Sequence, residues 1–426
     1  MQKTLHAFAA GCAATLAMPA AAQHMDHTMP MQQGTGDHSD STPRPLFTAG
    51  SGTSRQPLAA IMPGIHVETS GWMLMAHGYA WTSYVHESGR RGDDMTFVQS
   101  MAMVEASRPL DGSTRLQLRA MASLDPLMGR RGYPNLLATG ETAHGAPLVD
   151  RQHPHDLAME LSARIDHDVA PGTSLFVYAG LPGEPAIGPT TFMHRASSRF
   201  LPQAPIGHHW FDSTHITFGV VTAGVSTRHW QAELSAFNGR EPDERRWNIE
   251  SPRLDSWAAR LSWSPSPRWT ASLSYAELQS PERLHPNEDE ARLVASIAYV
   301  DDRLAATAGW SHKDRQPGRS LDAAFVEATY TLKPHHAVFG RVERLRNDEL
   351  FGDDSPFHNV PFTVAKATLG YAYTVPLGDV ASLSLGGAAN FYALPDRLGR
   401  AYGHPHGFLL FARLGLGGEG KRQSRH

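Results

Sequence analysis

Histidine and methionine dominate the chemistry this sequence could carry. The chain holds 24 His and 15 Met in 426 residues, and they cluster. His24, Met25, His27, Met29 and Met31 fall within a short stretch near the start. Met73, Met75, His77, Met101, Met103 and Met121 recur at alternate positions over the next hundred residues. Two later segments carry paired imidazoles, His153 with His155 and His208 with His209, the first flanked by Asp150 and Asp156. Thioethers select soft Cu(I), and imidazole accepts copper or zinc, so mixed Met/His sets suit a metal whose oxidation state varies. No Gly-x-Ser-x-Gly elbow, Walker loop or dinucleotide fingerprint occurs. Asp212, Ser213 and His215 have the residue types of a hydrolase relay, but neighbours along one strand cannot form it alone. An enzyme is not expected.

These residues need something to hold them, and the spacing says what. From Trp72 the chain alternates with period two. Trp72, Leu74, Ala76, Ala80 and Tyr84 fall on one face, and Met73, Met75, His77, Tyr79 and Trp81 on the other. Leu116, Leu118, Ala120 and Leu124 alternate in the same way with Arg115, Gln117, Arg119 and Met121. An apolar outside and a polar, thioether-rich inside is the dyad pattern of a transmembrane β-barrel. Sixteen strand-like runs follow between residues 72 and 417. Among them are runs at 72–85, 94–107, 114–125, 157–168, 215–226, 303–312 and 321–332. Connections alternate long (126–156, 182–214 and 313–320, for example) and short (Asp301-Asp302, Pro376-Leu377-Gly378). This is the parity of long outer loops and short periplasmic turns. The expected fold is all-β: an antiparallel up-and-down transmembrane barrel of about 16 strands, with the second and third long loops folded over or into the pore.

Residues 1–22 read as a signal peptide, with Lys3, an apolar run to Met18 and Ala20-Ala21-Ala22 before Gln23. Cleavage there removes Cys12, the single cysteine, so disulfides play no part. Residues 23–70 read as a disordered, Met/His-rich periplasmic leader, 71–418 as the barrel and 419–426 as a basic tail. The net charge of −4 gives nucleic acid no foothold.

The string Met25-Asp26-His27-Thr28-Met29 resembles the Met/His-rich N-terminus of B-type copper-resistance outer-membrane proteins. Segments Pro147–Glu160 and Phe237–Trp263 are similar to uncharacterised proteobacterial proteins of outer-membrane type. The Met/His leader and lumen suggest capture of periplasmic metal by the leader and transfer along lumen-lining thioethers and imidazoles, or simple sequestration. Outer-membrane lipid, the barrel assembly machinery and periplasmic copper proteins would be its partners, and copper is the one cofactor expected. The state would be monomer or trimer. The alternative reading is a porin for small polar or anionic solutes with structural histidines, and an outer-membrane lipid hydrolase is a further one.

Overall fold

The computed structural model describes residues 45–61 and 63–417. The expected signal peptide, the basic tail and the His24–Met31 string lie outside the described residues.

Sixteen antiparallel strands close into a barrel, from Trp72–Glu87 to His406–Leu416, each paired to its neighbour in sequence. The seam forms between first and last strands, with Gly78 opposite Leu416 and Glu87 opposite Gly407. Below that register the first strand pairs instead with a short strand, Ile65–Thr69. Closure gives each of the sixteen strands a neighbour on both sides, which a hydrocarbon environment requires.

Alternation sets the two faces. Val98, Leu118, Leu161, Leu261, Val326, Val342 and Leu369 stand exposed on the outside, where water would find no polar group to solvate. Aromatics cluster towards the strand ends. Trp230 stacks on Trp263 and Trp269 lies against Tyr299, while Trp257 meets Tyr275 nearer the long loops. Trp257 and Trp263 are six residues apart on one strand, roughly 20 Å at a strand's rise. They mark the two interfacial girdles of a membrane barrel.

The inward set is buried rather than wet. Arg260, Arg292, Lys313, Glu327 and Arg341 are almost fully enclosed. Two long loops, 123–157 and 181–219, occupy the bore, as their apolar composition required. The expected leader is corrected at its end. Phe47–Ala49 and Arg55–Pro57 pair as a small hairpin inside the bore, and Ile65–Thr69 joins the barrel wall. Serine, threonine, arginine and glutamine read as a linker in sequence, yet they suit a polar lumen. Gly52 at the hairpin tip has φ +52°, and a β-carbon there would come 2.8 Å from that of Glu184. Two further expectations change. The 313–320 loop shrinks to three residues because strands Leu304–Gln316 and Ser320–Lys333 extend beyond their apolar cores. The run expected at 215–226 begins at Val220, since the preceding strand ends at Gly180 and leaves only a Gly183–Thr217 bridge.

Candidate functional site

The third long loop is pinned to the wall by Arg195. Its guanidinium donates to Glu327 at 2.6 and 3.3 Å and to Asp212 at 3.0 Å. Arg341 reaches the same Glu327 at 2.9 Å. Asp212 also accepts the Phe192 amide and the His208 ring, at 3.0 and 2.8 Å. Burial pushes that carboxyl up, but the His208 hydrogen bond, then the charges of His208, Arg195 and His215, hold it well below its usual range.

Beneath this strut lies a cavity of about 230 Å³, lined by His77, Met101, Asp125, Met193 and His194 and bordered by the short turn Asp301-Asp302. Two methionines, Met101 and Met193, reach its lining, and the other methionines of that face pack together with them. His77 lies opposite Met103 and Met103 opposite Met121, giving one cross-strand row over three strands. Met101, Met103, Met121, Met159 and Ile216 form one buried cluster, with Met75 and Met193 packed against it. The rings of His77 and His194 meet edge to face at 5.7 Å. Both Nε2 atoms are buried without a hydrogen-bond partner, and burial lowers the His194 pKa far below the ordinary imidazole value. Met73 is the exception. It is exposed, opposite Glu68 and Ser107 near the short-turn rim, and takes no part in the cluster.

Five imidazoles fill the core between the two loops. His155 bonds Asp125 at 2.8 Å, His208 bonds Asp212, and His215 bonds the Asp212 carbonyl at 2.7 Å, each through Nδ1. His153 approaches Glu141 and His209 approaches Glu241, both at 3.1 Å. His153, His208 and His209 form a triangle, with ring centroids 6.0, 6.3 and 5.5 Å apart, and His215 links it to His155 at 5.2 and 5.3 Å. The structure therefore brings together all four histidines singled out in these loops.

Sequence reasoning missed three members. A bulge between Ala158 and Glu160 turns Met159 inward beside Glu160, against strict alternation. Asp125 opens a single 3-10 turn and Glu141 a three-residue strand, elements too short for any periodicity to report which way a side chain faces.

No protein-family model matches the chain, and no curated protein matches it in sequence. Solved structures do resemble it. OmpF of Salmonella typhi, in complex with daunomycin, shares 10% identity at a TM-score of 0.53, over 82% of this chain and 100% of that one. Pseudomonas putida OprB shares 11% at 0.50, over 81% and 94%. An anion-selective porin from Comamonas acidovorans reaches only 0.48, at 11% identity over 81% and 99%. Likeness at this identity speaks for the fold alone, and the lipid-facing exterior supplies the rest. The chain is an outer-membrane β-barrel.

One carboxyl gives this barrel a pH signature. Glu184, buried beside the hairpin tip, has its pKa raised to about 8, chiefly by burial and further by Glu160 and Asp212, against Ser51 and Arg260. The folded state keeps the proton where the unfolded chain has lost it. Stability from this group is therefore complete below about pH 4.5, falls as pH rises, and levels off above about 8. In urea titrations of the refolded barrel, Glu184→Gln should flatten that part of the wild-type decline. Parallel wild-type and variant curves would contradict it.

Proposed function

We propose that this barrel is a transport-related outer-membrane protein that takes soft metal, Cu(I) above all, into a pocket of thioethers and imidazoles at the short-turn side of a closed bore. The observation that carries this reading is the pair of buried, unpartnered Nε2 atoms of His77 and His194 beside the methionine cluster. A buried imidazole nitrogen without a partner is costly, and thioether packing alone does not call for one. Met101, Met193, His77 and His194 would hold the ion, and Met103, Met121 and Met159 would keep the setting soft and dry. The leader residues His24, Met25, His27, Met29 and Met31 remain the proposed capture segment, by their composition.

Competition with a Cu(I) chelator should show that the full-length protein binds Cu(I), and that His77→Ala with His194→Ala loses one equivalent. The porin reading for small polar solutes makes the opposite forecast: large, steady openings in planar bilayers and no Cu(I) dependence on either histidine. That pattern would replace the present reading.

A further inference from the structure

Two imidazoles and a carboxylate meet between the second and third long loops, apart from the methionine pocket. One ligand atom each from Glu141, His153 and His209 lies within 4.8 Å of the other two. Around a tetrahedral ion with bonds of 2.0–2.1 Å the donors sit ~3.3 Å apart, so a small inward shift of three side chains would close the set. Both histidines are more than nine-tenths buried.

What these nitrogens lack is informative. His153 Nε2 is 3.1 Å from a Glu141 oxygen, and His209 Nδ1 is 3.1 Å from Glu241. Each imidazole thus has one carboxylate beside it, while the buried Nε2 of His209 has no hydrogen-bond partner at all. Meanwhile His153 Nδ1 lies 3.0 Å from the Pro154 carbonyl, the outer contact that orients a ligating imidazole. The backbone makes room as well. Gly140 has φ +106°, and a β-carbon there would lie 2.6 Å from the His209 ring, so glycine lets this imidazole stand next to Glu141.

Charge points the same way. Glu141, Asp156 and Glu241 surround the site, and Arg246 donates to Glu141 at 2.9 Å and to Asp156 at 3.1 Å. Counting Arg292, which also faces Glu241, three carboxylates meet two guanidiniums there, an acidic excess that a bound cation would offset. The comparable grouping of Glu282, His285 and Glu349 differs, because Lys313 and Arg315 already neutralise its acids at 3.1 Å each.

We infer that Glu141, His153 and His209 form a site for a borderline divalent cation, Zn(II) or Cu(II), that ties the second long loop to the third. Nitrogen and oxygen donors without a thioether favour such ions over Cu(I). The site stands whether or not the methionine pocket binds metal.

Calorimetric titration of the full-length barrel in micelles with Zn(II) tests it. Wild type should bind one more equivalent than Glu141→Gln or His209→Gln. The His77→Ala, His194→Ala double variant should keep that equivalent. Zn(II) should also slow protease cleavage within residues 123–157 in wild type, and not in Glu141→Gln. If His209→Gln does not refold, as judged by heat-modifiable migration, Glu141→Gln carries the comparison. Equal stoichiometry in wild type and Glu141→Gln, or protection by Zn(II) in both, would overturn the assignment.

Discussion

Arg195→Ala should turn a quiet barrel into a conducting one. Removing one partner of a buried ion pair costs ~3–5 kcal/mol, because the other charge stays buried. Here the lower end applies, since Glu327 keeps Arg341 and Ser197 at 2.9 and 2.8 Å. Asp212 likewise keeps His208. The effect concentrates on the third loop, whose side-chain ties to Glu327 run through Arg195 and Ser197. Arg195 also lines both the large cavity and a smaller one of about 30 Å³ beside the hairpin, so its loss joins the two. Planar-bilayer recording should show frequent steady openings for the alanine variant and few for wild type. Arg195→Lys, which keeps charge but not the two-pronged geometry, should fall between. An alanine variant as silent and as urea-resistant as wild type would mean that the loop is held by other contacts.

The second large effect tests the membrane face. Val326 is more than half exposed, lies mid-strand in Ser320–Lys333 and pairs with Ala308 and Val342. Arginine at the bilayer midplane of such a barrel costs ~2–4 kcal/mol and near an interface ~0–1. Val326→Arg should therefore lower the unfolding midpoint in vesicles far more than Val380→Arg, which places the same charge at the short-turn end. Equal shifts would remove hydrocarbon as the solvent of that face.

How much of this was readable beforehand depends on which solvent each residue meets. Wall strands face lipid on one side, so a period of two survives in the sequence, and Trp257, Ala259 and Leu261 are unmistakable. The row His77, Met103, Met121 follows from the same period, because cross-strand neighbours share a face. The hairpin around Gly52 was illegible for the opposite reason. It is polar and sits in a polar lumen, so burial left no apolar mark. Glu141 is distant in sequence from His209, and only the packing of two irregular loops joins them. Met159 shows the limit of alternation itself: one bulge reversed it.

The hairpin's grip on the wall has a consequence for its removal. Arg55 donates to Ser226, Thr227, Trp230 and Gln231. Gln231 and Arg260 hold Thr53, and Ser51 and Ser54 meet Thr191 and Thr190. Leu46 and Ala59 fasten its two ends to the short-turn residues Arg228 and Pro267. The neutral ties are worth ~1 kcal/mol apiece and those of the Arg55 and Arg260 guanidiniums ~1.5–3, and withdrawal would also bare the buried Leu46. Such a stopper stays seated unless the whole set of ties breaks at once, because each adds to the same cost of withdrawal.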